Sequence, residues 1–134
     1  MQEVVVKNIK LLSDWIEKAD VFLVNAERHF SEGIYWLTCF EAHQASELYL
    51  KSLIITITGS HPYTHDLGEL IDVLNAMGFK PSNDVIMSCE LLTPHYILSR
   101  YPGKHSIKYT IDRGRRCVEY AKKIVEWVKS IADP

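Results

Sequence analysis

An arginine and a histidine flank a Pro-Gly break near residue 100, in the segment Arg100-Tyr-Pro-Gly-Lys-His105. An arginine keeps its charge at any biological pH and can bind two phosphate oxygens at once. A histidine exchanges protons near neutral pH because its ordinary pKa lies there. Arg100 and His105 could therefore act on a phosphodiester without a metal ion. An alternative stays open, because an arginine in the last turn of a helix also satisfies terminal carbonyls and the helix dipole.

The two side chains would divide the chemistry of RNA cleavage between them. His105 would take the proton from a ribose 2′-hydroxyl or give one to the leaving oxygen. Arg100 would bind the phosphate and offset the charge that develops in the transition state. One histidine per chain does not easily perform both proton steps. A nuclease of this kind would therefore need two chains that bring their Arg–His pairs to a shared cleft.

Basic residues are concentrated around this segment. Residues 100–116 carry six basic side chains and one acidic one, a local charge of +5, so the rest of this chain of net charge −2 carries −7. A basic field on an acidic body suits an anionic ligand that binds at one place. We expect four of these side chains to hold an RNA backbone or a nucleotide: Lys104, Lys108, Arg113 and Arg116. The alternative is a solvated helix start where positive charges cluster without a ligand.

Length and composition predict one globular domain over residues 1–134. The chain has 134 residues, of which 47% are hydrophobic and 24% charged, which is ordinary for a protein with a packed core. Residues 1–10 show no apolar run behind a basic start, so we expect no signal peptide. The longest apolar stretch, at residues 53–57, is too short to span a bilayer. We therefore expect a cytoplasmic protein that does not associate with a membrane.

The cysteines and histidines offer no familiar metal-binding motif. Cys39, Cys89 and Cys117 are odd in number and widely spaced, which favours buried free thiols over a disulfide framework or a C-x-x-C site. His61 and His65 are four residues apart, but Pro62 lies between them and breaks the helical geometry that a metal would need. The sequence predicts no metal and no cofactor.

Hydrophobic periodicity predicts helices throughout and no strand. A long first helix is indicated by apolar residues in steps of three and four, at Ile9, Leu12, Ile16, Ala19, Leu23, Ala26 and Phe30. A second helix, over residues 32–58, is apolar on most sides and should lie at the centre of a bundle. Asp66 is expected to cap a shorter third helix, with Glu69 in the capping-box position.

Two further helices complete the expected fold. The fourth begins at Ser82 or Asn83, and Pro94 should kink or split it. Thr110 is expected to cap the last helix, whose apolar residues again recur in steps of three and four. The predicted fold is therefore all-α, an antiparallel up-and-down bundle of four long helices plus one short helix.

Glu47 and Lys51 stand out on the second helix. They are four residues apart with the glutamate first, the better order for an ion pair. Because the helix that carries them is too apolar to be peripheral, we expect the pair to line the dimer cleft or to support Arg100 and His105. The alternative is a surface pair worth a few tenths of a kcal/mol.

With its helices placed, the sequence resembles the HEPN family of small helical proteins. The resemblance covers nearly the whole chain. It rests on Gly33-x-Tyr35-Trp36, on Phe40-Glu-Ala-His-Gln44-Ala45-Ser-Glu47-Leu-Tyr-Leu-Lys51, on Thr64-His65-Asp66-Leu67 and on Ser99-Arg100-Tyr101-Pro102. The combination is more specific than any one of these motifs, since short motifs alone often match by chance.

The resemblance implies a helical bundle that dimerises through its long helices. Many family members are metal-independent ribonuclease toxins with an R-x(4–6)-H motif, whose spacing Arg100 and His105 satisfy. Other members are partners of a minimal nucleotidyltransferase antitoxin, or modules that bind a nucleotide without catalysis. Catalytic members commonly have Asn, Asp or His after the arginine, where this chain has Tyr101, and Ile107 stands where some toxins carry a modified tyrosine. Both an endoribonuclease and a non-catalytic binding module therefore remain open.

Overall fold

The chain folds into a bundle of helices in which the second helix lies at the centre. The computed structural model describes residues 9–103 and 107–133. In chain order the helices are α1 (Ser13–Ser31), α2 (Tyr35–Thr58), α3 (Leu67–Ala76), α4 (Asn83–Leu92), the single turn α5 (His95–Leu98) and α6 (Ile111–Ile131). Within the described ranges there is no strand, only an isolated bridge between Lys10 and Asp133. The predicted all-α bundle is confirmed.

Helix α2 is the centre of the bundle, as its sequence predicted. It contacts each of the other helices, most extensively α1 and α6. Its residues Tyr49, Leu50 and Leu53 have no exposed surface. A helix that is apolar nearly all round is most stable when neighbours cover every side. The flanking helices α1 and α6 are strongly amphipathic and turn only one apolar stripe toward α2.

The first helix starts later than its periodicity predicted. Helix α1 begins at Ser13, and residues 9–12 instead run extended along the end of α6. The Leu11 amide donates to the Asp133 carbonyl at 2.8 Å, and the Asp133 amide donates to the Ile9 carbonyl at 3.0 Å. Ile9 and Leu11 are buried by this pairing. The helical placement of Ile9 and Leu12 was therefore wrong, because an extended segment can also bury apolar side chains.

Helix starts follow the predicted caps. Asp66 Oδ1 accepts hydrogen bonds from the Gly68 and Glu69 amides at 2.8 and 3.3 Å. The reciprocal half of a capping box is absent among the described residues, because the Asp66 amide donates to Thr64 Oγ1 instead. The other two caps are Ser82 Oγ at α4 and Thr110 Oγ1 at α6. These side chains satisfy amides that have no partner inside the helix.

Pro94 splits the predicted fourth helix. Helix α4 ends at Leu92, and Pro94 is the N-cap of the four-residue α5. Proline lacks the amide that would continue the α4 hydrogen bonds. The break matters because α5 leads directly to Arg100.

Two of the three cysteines are joined, which corrects the expectation of free thiols. Cys39 of α2 and Cys117 of α6 form a disulfide across 78 residues of sequence. The prediction failed because the two residues are distant in sequence and meet only when α6 packs on α2. Cys89 is a buried free thiol, as predicted. Burial raises the pKa of Cys89 to about 12, so it is an inert thiol at neutral pH.

Gly59 ends α2 in the left-handed region, with a φ of 87°. Replacing it with alanine is expected to lower the free energy of unfolding by roughly 1–2 kcal/mol, because a Cβ atom is strained at positive φ. Urea denaturation measures this loss. Gly103→Ala is the matched control, since its added Cβ meets no atom within 4 Å and its φ is outside that region. An equal loss in both variants would contradict the assignment of strain to Gly59.

Candidate functional site

Arg100 lies in a cage of aromatic rings just after α5. Its guanidinium carbon is 4.5 Å from the centre of the Tyr96 ring, 4.8 Å from that of Phe40 and 5.4 Å from that of Tyr101. Its Nε donates to the Tyr96 carbonyl at 2.8 Å. Stacking on rings holds a guanidinium in one orientation while its edge stays available for hydrogen bonds. Within residues 9–103 and 107–133, the two terminal amino groups of Arg100 make no hydrogen bond.

A cleft of about 430 Å³ opens beside this arginine. Its described lining is mainly aromatic and apolar: Trp36, Leu98, Ser99, Arg100, Tyr101, Pro102, Ile107 and Tyr109. Trp36 is 45% exposed and Tyr101 is 61% exposed, although both are large and apolar. A cleft with aromatic walls and one convergent cation is suited to a ligand that has both a flat ring and an anionic group.

A line of contacts connects the cage to the interior of α2. The His65 ring stacks on Tyr96 with centres 4.0 Å apart and planes at 13°. His65 Nδ1 hydrogen-bonds Glu47 Oε1 at 2.9 Å. The other carboxylate oxygen of Glu47 accepts from Lys51 Nζ at 3.1 Å. Arg100 thus stacks on Tyr96, and Tyr96 in turn stacks on His65. The buried carboxylate of Glu47 holds His65 in place.

Glu47 and Lys51 are each only 5% exposed, so the pair is not at the surface. A buried carboxylate is tolerated when several donors satisfy its oxygens, and Glu47 has both Lys51 and His65. The structure places the pair behind the Arg100 cage rather than in its wall. Its predicted role at a dimer cleft stays a prediction.

The remaining histidines near α2 have structural partners. His43 has no exposed surface, and its Nε2 donates to the His65 carbonyl at 2.8 Å. Burial lowers the pKa of His43, so it is neutral near pH 7. His65 directly precedes Asp66, the cap of α3, but its side chain bonds Glu47 in α2. His61 packs edge-on against Trp15, away from the cleft.

The predicted basic residues do not all surround the same cavity. Arg113 and Arg116 line a neighbouring cavity of about 250 Å³, which shares Leu98 and Ile107 with the Arg100 cleft. Arg113 Nη1 donates to the Lys108 carbonyl at 2.7 Å, which fixes the loop before α6. The predicted ligand contacts of Lys108, Arg113 and Arg116 stay predictions. Lys104 and the catalytic candidate His105 lie outside the described residues.

Tyr96 and Phe40 are the site residues that the sequence analysis missed. From the sequence, Phe40 is named only as the first residue of a family motif and is assigned no role at the site. Tyr96 lies four residues before Arg100, a spacing that places an aromatic ring and a cation on one side of a helical turn. That spacing could have indicated the contact between Tyr96 and Arg100. It was not used because Pro94, two residues before Tyr96, made a helical turn at this position hard to predict.

No helix in the described part of the chain is both long and apolar enough to cross a bilayer. This finding agrees with the absence of a long apolar run in the sequence.

Comparison with known proteins agrees with the bundle and its motifs. The family model described as HEPN domain matches residues 12–131. The protein TT1696 from Thermus thermophilus is 28% identical, with a TM-score of 0.78 over 87% of this chain and 94% of that chain. ST0689, an archaeal HEPN homologue, is 27% identical, with a TM-score of 0.71 over 93% of this chain and 98% of that one.

A more distant structure shows the same fold. An HEPN domain protein from Thermotoga maritima is 19% identical, with a TM-score of 0.71 over 87% of this chain and 95% of that one. No protein with curated annotation matches the chain. The match of the family model spans all six described helices and is decisive for classification. The chain belongs to the HEPN family.

Proposed function

We propose that this HEPN-family protein binds RNA at the Arg100 cleft and cleaves phosphodiesters without a metal ion, as the toxin of a toxin–antitoxin pair. The observation that carries the proposal is the caged Arg100 beside an aromatic cleft. A homodimer would supply two Arg–His pairs, and a minimal nucleotidyltransferase is the proposed antitoxin.

The geometry of Arg100 supports phosphate binding. Its Nε is used by the Tyr96 carbonyl, which orients the guanidinium plane. The two terminal amino groups make no hydrogen bond to a described residue and can donate to two oxygens of one phosphate. Since the arginine is preorganised by its stacked rings, little conformational entropy is lost when the phosphate binds.

The walls of the cleft support recognition of a base. Single-stranded RNA is commonly held by stacking of its bases on exposed aromatic rings, which every base can do. Trp36 and Tyr101 are exposed rings that line the same cleft as Arg100. A nucleotide bound there would stack its base on one ring while its phosphate contacts the guanidinium.

His105 supplies the proton chemistry in this proposal. As a base it would accept the 2′-hydroxyl proton while that oxygen attacks the phosphorus, and the 5′-oxygen of the next nucleotide would leave. A second His105, from the other subunit, would protonate the leaving oxygen. Arg100 would stabilise the extra negative charge on the phosphorane oxygens.

The test is RNA cleavage in the presence of a chelator. Wild type is expected to cleave a labelled single-stranded RNA, and His105→Ala is expected to lose roughly 10²–10⁴-fold in rate, the usual contribution of a general acid or base. His61→Ala is the matched control, because His61 packs on Trp15 away from the cleft and should retain full activity. Equal cleavage by wild type and His105→Ala would reject His105 as catalytic.

The second candidate function is a non-catalytic module that binds a nucleotide or a nucleotidyltransferase. The exposed apolar side chains at α5 favour it, because Ile97 is 58% exposed and Leu98 is 37% exposed beside Tyr101. Such a patch suits a protein partner as well as RNA. Measuring both RNA binding and RNA cleavage by the wild type distinguishes the two functions. Salt-dependent binding without cleavage supports the non-catalytic module. Cleavage that depends on His105 supports the nuclease.

A further inference from the structure

Three side chains with metal-binding atoms converge in the interior, outside the Arg100 cleft. They are Cys39 of α2, His95 of α5 and Cys117 of α6. Their ligand atoms all lie within 4.8 Å of one another, and all three residues are buried. Because the three come from separate helices, the packing of the bundle itself assembles the cluster.

The chemistry of this donor set is that of a zinc site. Two thiolates and one imidazole match the ligands that Zn²⁺ prefers, and Zn–S bonds of about 2.3 Å in a tetrahedral site put two sulfurs roughly 3.8 Å apart. The sulfurs of Cys39 and Cys117 are bonded to each other as a disulfide, so they must separate before they can bind a metal. A ring nitrogen of His95 lies within 4.8 Å of both sulfurs.

His95 has a hydrogen-bond partner of the kind that metal-bound histidines use. Its Nδ1 hydrogen-bonds the Tyr109 hydroxyl at 2.6 Å. Metal-bound histidines commonly use one ring nitrogen for such a bond, which orients the ring and leaves the other nitrogen for the metal. Within the described ranges, Nε2 of His95 makes no hydrogen bond.

A cavity that could hold a fourth ligand lies on one side of the cluster. The cavity of about 250 Å³ beside it is lined by both His95 and Cys117. A zinc ion with three protein ligands can hold a water or another small ligand at its fourth position. Two thiolates would neutralise the charge of such an ion, so Arg113 and Arg116 in the same cavity would face no net positive charge from it. Their own charge favours an anionic fourth ligand.

We propose that reduction of the Cys39–Cys117 disulfide converts this cluster into a zinc site, with Cys39, Cys117 and His95 as ligands. A dithiol reductant would supply two electrons and two protons, giving two thiols and becoming a disulfide itself. Binding of Zn²⁺ then releases the two thiol protons and forms two Zn–S bonds. Both states cross-link α2 to α6, but only the metal state also holds α5.

The link to α5 connects this site to the cleft. The Ser99 hydroxyl donates to the His95 carbonyl. Arg100 Nε donates to the carbonyl of Tyr96, the residue that follows His95. A metal bound to His95 would therefore anchor the turn that positions Arg100. The zinc site itself does not depend on the proposed ribonuclease function.

Cobalt titration of the full chain tests the proposal. Protein purified anaerobically under reducing conditions is expected to bind one Co²⁺ per chain, with tetrahedral d–d bands and a thiolate charge-transfer band. Added Zn²⁺ should displace the cobalt and remove both bands. The oxidised protein should expose one thiol per chain after denaturation, that of Cys89, and should show no such bands.

Variants assign the ligands. Cys117→Ser is expected to weaken the charge-transfer band strongly, because only the Cys39 thiolate remains, and Tyr109→Phe to weaken cobalt binding by roughly 10–100-fold, the usual effect of removing an outer hydrogen bond. Cys89→Ser is the matched control and should bind as wild type does, because Cys89 lies outside the cluster. If Cys117→Ser fails to fold, the comparison of oxidised and reduced wild type still decides the question. Equal cobalt binding in both redox states, none in the reduced state, or loss of binding in Cys89→Ser would overturn the proposal.

Discussion

Replacing Arg100 with alanine is expected to lower the rate of RNA cleavage by roughly 10²–10³-fold, the usual effect of removing a donor that stabilises a transition-state oxyanion. The guanidinium is held by three rings and by the Tyr96 carbonyl, so its loss removes a preorganised group that water cannot replace. The measurement is kcat/KM on a labelled RNA in chelator, with circular dichroism to verify the helical content of each variant.

Arg100→Lys separates charge from geometry. Lysine keeps the positive charge but cannot donate to two phosphate oxygens in one plane or stack as a planar cation. We therefore expect its activity to lie between those of wild type and Arg100→Ala. Arg115→Ala is the control for charge alone, because Arg115 is exposed on α6 and pairs with Asp112. A loss in Arg115→Ala as large as that in Arg100→Ala would contradict a specific role for Arg100.

If the protein binds RNA without cleaving it, the effect of Arg100→Ala is measured as a change in the dissociation constant for RNA. Loss of charge-assisted hydrogen bonds worth about 1.5–3 kcal/mol raises the dissociation constant by roughly 10–150-fold. A salt titration then distinguishes Arg100 from a remote charge, because each lost phosphate contact lowers the slope of log K against log salt by about one unit.

Replacing Glu47 with alanine is expected to lower the free energy of unfolding by roughly 3–5 kcal/mol, because it leaves the buried ammonium of Lys51 without its partner. Glu47 Oε2 accepts from Lys51 Nζ at 3.1 Å, and both side chains are almost completely buried. The substitution also removes the acceptor that fixes His65. Urea denaturation with an unchanged m-value is the measurement, since an altered m-value would signal a different denatured state.

The matched control is an exposed pair of the same chemistry. Glu27 and Lys122 are 2.6 Å apart with about half of each side chain exposed, so Glu27→Ala should cost about 0–1 kcal/mol. The double variant Glu47→Met, Lys51→Met should recover most of the loss, because two apolar groups leave no buried charge. A loss in Glu47→Ala no larger than that in Glu27→Ala would show that the buried pair does not stabilise the fold as proposed.

Features with a local cause could be predicted from the sequence. Asp66, Ser82 and Thr110 cap helices because their side chains reach amides two or three residues away. The split at Pro94 follows from the chemistry of one residue. The central position of α2 follows from apolar residues on nearly all of its sides. The family motifs, which lie on these same elements, identified the fold.

Features that join distant parts of the chain could not be predicted in this way. Cys39 meets Cys117 and His95 only because α5 and α6 pack on α2, and their spacing in sequence argued against any site. Likewise, the stack of His65, Tyr96 and Arg100 needs the α2–α3 loop beside α5. Residues 9–12 pair with Asp133 although both the helical and the extended state would bury their apolar side chains.

The division has one physical reason. Caps, breaks and amphipathic faces are decided by interactions within a few residues, and their free energies are readable from residue types in order. Contacts between helices depend on which ridges and grooves pack together, and many packings satisfy the same apolar pattern. The amino-acid sequence therefore determines where the helices lie and indicates Arg100 as a candidate phosphate-binding residue. The packed bundle decides which rings hold Arg100, which carboxylate stands behind them and where two thiols meet an imidazole.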